Sequence, residues 1–523
     1  MTAAFVLLCA CAKRDHFDAD IPAATPLSKT AGGIAARERA AIPAAAAPAE
    51  RHTLYAANTV HRTAEQPLSA FSLDVDTASY GLVRSALASG RLPQAGAVRL
   101  EELINYFPSL PADKALHPLG SSPFAAGYEI APCPWNDRAV LLLLTVAAGS
   151  GVSREAPPAN LVFLVDVSGD MARENALPLA RAALNILTEE LRPQDTVSVV
   201  TFADRMRTVL PPTSGANKTI IRLALDLLDA GGATAGAGGV QQGYNQAAAH
   251  YRAGGTNRII LCTNGGFNMG VSSTEELTRL VRRNREKGVS LSVLGLGNTG
   301  SNDALLSAMA VAGNGNYTHV DTLQEAVKAL HEDVQSTLHA AAADVKAMIE
   351  FNPGRVETWK QIGYEKRRLA AEDFADDRVA AAAVGRNRTV RVLYELTLAG
   401  GRGGMEPLRY SRKREAGPVR HAGELGYVKL RWKAPGGIAG EGTSRQESLA
   451  VESRAVQSSF ASAGTGFRFI AAVAAFGMKL RGDAFAASWA DIVQWAEQAA
   501  GPDPGGHRAE FVRLARAARS LSE

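Results

Sequence analysis

Between about residue 158 and residue 336, five apolar runs recur: NLVFLVD, VSVVTF, RIILCT, SLSVLGLG and NYTHV. Each is followed by a stretch with helical spacing, such as ENALPLARAALNILTEEL or STEELTRLVRRNREKG. A strand that reads as a continuous Val, Ile and Leu run is buried on both faces. Strand alternating with helix therefore predicts an α/β domain with a doubly wound, mostly parallel sheet. Ligands of such sheets collect at the carboxyl ends of the strands, at the topological switch point. The stretch LVDVSGDM, Leu164 to Met171, lies at the carboxyl end of the first strand.

The flanks follow other periods. LSAFSLDVDTASYGLVRSALASG alternates through Phe71, Leu73 and Val75 and then shifts to helical spacing, and EELINYF reads as a short helix. GYEIAPCPW and AVLLLLTVAA read as strands, as do VKAMIEF, TVRVLYELTLAG and LGYVKLRWKA after residue 340. ESRAVQSSFASAGTGFRFIAAVAAFGMKL and ADIVQWAEQAA onward read as helices, with Phe469, Val473, Phe476 and Leu480 on one face. The simplest packing joins strands from both flanks in one β-rich domain, through which the α/β unit is inserted. The expected division is an N-terminal segment over 61–157, the α/β domain over 158–336 and a C-terminal domain over 337–523. A chain of 523 residues with 46% hydrophobic content can fill several such cores.

The first residues, MTAAFVLLCAC, end a short apolar run in Leu8-Cys9-Ala10-Cys11, which resembles a bacterial lipobox. On that reading residues 1–11 are a lipoprotein-type signal, Cys11 is acylated, and lipid anchors the product to a membrane surface. Ala12, where Asp would signal retention, favours the outer membrane of the cell envelope, facing the periplasm. A frayed apolar N-terminus is the alternative. Residues 12–60, rich in Ala, Pro, Arg and Glu, carry too few large apolar side chains to offset ordering entropy and read as a disordered tether. No apolar run reaches the ~18–20 residues needed to span a bilayer. With 56 basic and 52 acidic residues and no block of one sign, nucleic acid is not a favoured partner. Cys133 and Cys262 read as free thiols, with a disulfide between them as the alternative.

Asp166, Ser168 and Asp170 stand at i, i+2 and i+4 at the end of the first strand. A hard divalent cation takes oxygen ligands, and a tight loop can aim alternate side chains at one point, a form that suits Mg²⁺. Two further loops at the same sheet edge offer oxygens: GGATAGAGG with Thr234 and CTNGGFN with Asn264. Together Asp166-Val167-Ser168-Gly169-Asp170, Thr234 and Asn264 resemble the metal-ion-dependent adhesion site of von Willebrand factor type A domains, whose pattern is Asp-x-Ser-x-Ser, then Thr, then Asp. AEQPLSAFSLDVDTASYGLVR, RLEELINYF, APCPWN, EFNPGRV, IGYEKR and EDFADD extend the resemblance over most of residues 60 to 520 to the YfbK-like bacterial lipoproteins.

The resemblance implies a Rossmann-like type A domain in which Ser168 and Thr234 bind Mg²⁺ or Mn²⁺ directly and Asp166 acts mostly through water. One position stays open for an acidic residue of a protein partner. Asp170 replaces the second serine and Asn264 the late aspartate, which leaves those two roles open. Asp166 and Asp170 still supply two charges, so the carboxylate at 170 can restore the local field. The alternative is that Asp166 and Ser168 only form the loop and cap the following helix, leaving a metal-independent scaffold.

Other motifs weigh less. Gly295-Leu296-Gly297-Asn298-Thr299-Gly300, with Asp321 after the next strand, has the form of a dinucleotide fingerprint but uses the last strand–helix unit instead of opening a sheet. Gly231 to Gly239 lacks the Lys-Ser/Thr ending of a phosphate loop, and its glycines read as permitting close approach to the Asp166 loop. Asp74 and Asp76 read as N-cap and turn residues. Trp359, Trp432 and Trp495 read as packing anchors. No H-E-x-x-H or G-x-S-x-G occurs. The expected function is non-enzymatic, adhesion-type protein binding at the cell envelope.

Overall fold

NLVFLVD forms β1 (Ala159–Asp166), every residue of which is buried. The computed structural model describes residues 51–73, 75–108, 116–149, 157–233, 236–266, 273–297, 302–330, 340–379, 381–400, 421–435, 443–485 and 487–523. The other strands of the inserted unit are β2 (Thr196–Phe202), β3 (Met206–Ser214), β4 (Thr256–Thr263), β5 (Ser290–Leu296) and β6 (Tyr317–Val320). They lie in the order β6-β5-β4-β1-β2-β3. All neighbours are parallel except β2 and β3. Its helices are α1 (Leu177–Glu189), α2 (Lys218–Asp226), α3 (Gly236–Ala249), α4 (Thr274–Arg285), α5 (Asp303–Ala312) and α6 (Leu323–Lys328). Separate cores on the two faces, one holding Phe163 and Leu184 and the other Leu164 and Tyr244, show the double winding. The α/β fold, inserted in a β-rich flank with helices at the C-terminus, is as expected.

Two six-stranded antiparallel groupings make the flank. One runs His61–Arg62, Val356–Ile362, Thr389–Leu398, Asn136–Ala148, Phe124–Cys133, His117–Pro118, and so joins strands from both sides of the insertion. The other centres on Ala340–Phe351, between Leu68–Ser72 and Glu424–Lys433. AVLLLLTVAA is apolar throughout because both faces of its strand are covered. Leu142 and Leu144 enter the core between the sheets, while Leu141 and Leu143 meet a helical layer with Phe107, Phe469 and Phe511. Trp359 and Trp432 are buried between the sheets and Trp495 packs on the helical layer.

Three local expectations need correction. MRTVLPPTS, which the strand and helix patterns pass over, is the antiparallel edge strand β3, and its two prolines fall where the pairing with β2 shifts register between Leu210 and Thr213, so neither is needed as a ladder donor. ESRAVQSSFASAG forms no α-helix, only a 3-10 turn at Ser453–Ala455. Arg445–Glu452 is a strand, Gln457 N–H donates to Ile130 O, and the helix starts at Thr465 after Gly464 N–H is held by Glu129 Oε1 at 2.6 Å. Tertiary pairing with Phe124–Cys133 overrides the local pattern there.

The tether read over 12–60 also ends earlier. Ala304 N–H donates to Arg51 O, and Asn58 Nδ2 donates to Gln361 O and Gly363 O at 3.1 and 2.7 Å. The expected signal over residues 1–11, with Cys11, and residues 12–50 lie outside the described residues. Among the described residues no helix is long and apolar enough to cross a membrane.

The insert is fixed to the flank through a buried ionic seam. Lys366 Nζ lies 2.6 Å from both Asp76 Oδ2 and Glu102 Oε1, and Arg99 reaches Glu102 at 2.6 Å and Asp303 at 2.8 Å. His52 Nδ1 lies 2.9 Å from Asp303, and Tyr317 N–H of β6 donates to Asp76 Oδ1 at 2.9 Å. Asp76 is thus an ionic hub and not the helix cap expected of it; the N-cap of Ala78–Ala88 is Thr77. Asp74 lies outside the described residues. Burial alone would raise the Asp76 carboxyl, but Lys366 and Arg367 overcome it and bring it down to about 2.

Candidate functional site

β1 is hydrogen-bonded between β4 and β2, so its carboxyl end opens at the switch point of the sheet. Val167 N–H donates to Phe202 O, and the chain then leaves the sheet through a short 3-10 turn, Gly169–Ala172, anchored by buried Met171. Asp166 is held inside this bend with no exposed surface. Its Oδ1 accepts from Ser168 N–H at 3.0 Å and its Oδ2 from the Thr263 hydroxyl at 2.8 Å. Burial pushes the Asp166 carboxyl up from its ordinary range, hydrogen bonds from Ser168 and Thr263 oppose this, and the Asp170 charge adds to the rise. Ser168 is 2% exposed, and its Oγ is buried without a hydrogen-bond partner among the described residues. Asp170, two residues on, is exposed.

The glycine loop approaches as its composition predicts. Gly231 N–H donates to Val167 O at 2.7 Å and Gly169 N–H to Gly232 O at 2.9 Å, while Gly232 takes φ +82°, a conformation other residues adopt at a cost. Thr234 lies outside the described residues, two positions after Gly232. Asn264 follows Thr263 at the end of β4, half-buried, and its Oδ1 accepts from Gly266 N–H at 2.9 Å, closing its own turn. The structure therefore gathers Asp166, Ser168 and Asp170 in one loop with the glycine turn against it, while Asn264 is engaged elsewhere.

Sequence reading missed Thr263, which holds Asp166 from across the sheet. The only signal for it is its place immediately before Asn264.

Among the described residues no group of three or more His, Cys, Asp or Glu side chains is placed to hold a metal ion. A cation here would need the hydroxyls and water, as the donor chemistry of this loop implies. Ser168 Oγ fits that requirement: a buried oxygen whose lone pairs no donor among the described residues uses.

The dinucleotide reading loses its acid. Asp321 accepts from Arg84 Nε at 2.9 Å and again from Arg84 Nη2, within a buried cluster that includes Glu325. Cys133 and Cys262 are both buried free thiols, with burial pushing Cys262 up to about 12.

Comparison with known proteins follows these boundaries. A family model described as von Willebrand factor type A domain matches residues 160–335, one described as von Willebrand factor matches 46–143, and one described as Uncharacterized protein YfbK, C-terminal, matches 336–521. The Escherichia coli protein YfbK is 42% identical over 484 residues, which cover 90% of this chain and 82% of that protein. The chain belongs to the YfbK family. An uncharacterized protein from Synechocystis sp. is 25% identical over 212 residues, 40% of this chain and 49% of that protein. Among solved structures, a von Willebrand factor type A protein from Catenulispora acidiphila is 14% identical with a TM-score of 0.44, covering 77% of this chain and 90% of that one. YfbK-family membership adds a type A domain with a dedicated C-terminal partner domain, and neither relative's name states an activity.

Proposed function

We propose that this YfbK-family chain is a non-enzymatic protein-binding protein of the bacterial cell envelope. Its partner docks on the loops at the carboxyl edge of the inserted sheet, around Asp166, Ser168, Asp170 and Thr234. A divalent ion, Mg²⁺ or Mn²⁺, assists by presenting an open coordination position to an acidic residue of the partner. The single observation that carries this reading is the buried, unpartnered Ser168 Oγ beside a buried carboxylate. An oxygen left unsatisfied in a protein interior costs stability, and a hard cation is the group that would use it. Cys11 would bear the lipid that fixes the chain to the outer membrane. Incorporation of labelled palmitate that is lost in Cys11→Ala tests that part, and incorporation unchanged by the substitution would refute it.

Calorimetric titration of the purified chain with Mg²⁺ and Mn²⁺ tests the ion. Heat of binding together with a raised melting temperature is expected; silence in both measurements would sink metal assistance. Asp170→Ser should change the affinity, whereas a superimposable titration curve would remove Asp170 from the ligand set.

A second reading, a metal-independent scaffold, draws on a different observation. Asp166 already accepts two protein hydrogen bonds, and Asn264 spends its oxygen on Gly266. On this reading the loop only shapes the docking edge.

A further inference from the structure

The open edge of the inserted sheet carries an apolar surface that no described part of the fold covers. α2 turns Ile221, Ala224 and Leu225 inward against the core that also holds Leu210 of β3. The flank of α2 nearest α1 is taken: Arg222 pairs with Glu189, Lys218 donates to Glu189 O, and Asn185 Nδ2 donates to Asp226 Oδ1 at 3.2 Å. The remaining flank presents Ile220, Leu223 and Leu227 at i, i+3 and i+7, which are 53%, 58% and 71% exposed. Beside it runs β3, the last strand of the sheet, with Val209 also exposed, while Met206 turns to Gly238 of α3 on the other face. Four large apolar side chains, Val209, Ile220, Leu223 and Leu227, exposed this close together are more than scattered surface hydrophobics require.

The charges nearby select the occupant. Arg205 and Arg207 bracket Met206, both exposed, and neither makes an ion pair among the described residues. Asp204, the acid closest to them in sequence, turns to the glycine loop, its Oδ1 within 3.0 Å of where a Cβ on Gly232 would lie. A second copy fits this edge poorly. About a two-fold axis through Met206–Leu210 the other copy would bring the same two arginines and, with Asp204 turned to the glycine loop, no neighbouring carboxylate to meet them. Pro211 and Pro212 carry no N–H, which confines added pairing to Met206–Leu210.

We propose that the outer edge of β3 and the exposed flank of α2 form a docking surface for a protein segment of mixed apolar and acidic character. Its apolar side chains cover Ile220, Leu223 and Leu227, and its carboxylates meet Arg205 and Arg207. The surface goes beyond the ion-assisted reading and does not depend on it. It nevertheless leads to the same rim, since Leu227 lies four residues before Gly231, whose N–H is bonded to Val167 O.

The test is selection of random dodecapeptides displayed on phage against the full chain in the presence of chelator, so that failure of the metal reading leaves the outcome unaffected. Expected winners combine Asp or Glu with large apolar residues. Their affinity should fall about tenfold or more in the double variant Leu223→Glu, Leu227→Glu. Arg205→Glu with Arg207→Glu should turn the selection toward basic peptides. Leu227→Gln, a milder change at a largely exposed position, serves if the double variant does not fold. Winners without acidic residues, or binding indifferent to both sets of substitutions, would overturn the proposal. So would sedimentation showing a wild-type dimer that the leucine substitutions dissolve.

Discussion

Buried carboxylates meet opposite fates at two places in this molecule. At the seam, Asp76, Glu102 and Asp303 are matched by Lys366, Arg367, Arg99 and His52, and both Asp76 and Asp303 are held below the usual carboxylate range despite burial. At the carboxyl edge of the inserted sheet, Asp166 is as deeply buried but receives only an N–H and a hydroxyl, and burial raises it. Hydrogen bonds from neutral donors do not replace a cation once water is removed. The seam therefore behaves as a structural joint closed by the chain itself, whereas at the sheet edge no cationic side chain among the described residues meets Asp166.

The largest effect should come from breaking the joint. Lys366→Met leaves Asp76 and Glu102 buried without their shared cation, and stripping one partner from a buried pair costs about 3–5 kcal/mol. Denaturant unfolding should register that loss; a cost below about 1 kcal/mol would mean the seam is not the charge-matched joint described. The next effect appears with pH. Asp76, lowered from 3.8 to about 2, contributes stability that is present above pH 3.8 and lost as pH falls through about 2. Glu101 goes the other way: burial first, and then the Glu365 carboxylate, raise it from 4.5 to about 7. Its contribution is complete below pH 4.5 and lost as pH rises through about 7. The melting temperature of the wild type should decline across that window relative to Glu101→Gln, and parallel curves would refute the assignment.

The contrast between joint and edge was only half legible in the sequence. β1 could be read because a strand covered on both faces must be apolar at every position, and Asp166, Ser168 and Asp170 because their spacing is local. β3 escaped because an edge strand with two prolines has neither continuous nor alternating hydrophobicity. Thr263 escaped because its role depends on β1 pairing with β4 in the register that sets Val165 opposite Cys262. Asp76 was misread as a cap because its partner Lys366 is 290 residues away, and only the closure of the flank around the insertion brings them together. Interactions within a turn or a strand leave a signature in the local pattern; charge pairing across a domain insertion leaves none.

The edge can be probed at the same resolution with smaller effects. Thr263→Val removes the donor to Asp166 Oδ2 and leaves that oxygen buried and unsatisfied, which should cost about 1–3 kcal/mol. If the side chain of Asp166 is instead rescued by water entering the bend, the cost in denaturant unfolding will vanish, and the edge will be less sealed than its burial implies.

Asp166→Asn is the smallest perturbation and separates the two regions most sharply. An asparagine Oδ1 still accepts from Ser168 N–H, and its amide can meet the Thr263 hydroxyl, so the hydrogen bonds survive while the unmatched charge is gone. Because the Asp166 carboxyl is raised, its ionised form costs stability as pH climbs above its ordinary range. The metal-free variant at neutral pH should therefore be no less stable than the wild type, within about 1 kcal/mol, whereas the same change at Asp76 would strand Lys366 and Arg367. The wild type alone should gain from Mg²⁺, by about 2.7 kcal/mol when the ion is at a hundred times its dissociation constant. A variant that loses stability without metal would place Asp166 among the residues that hold the fold together, and the difference between joint and edge would disappear.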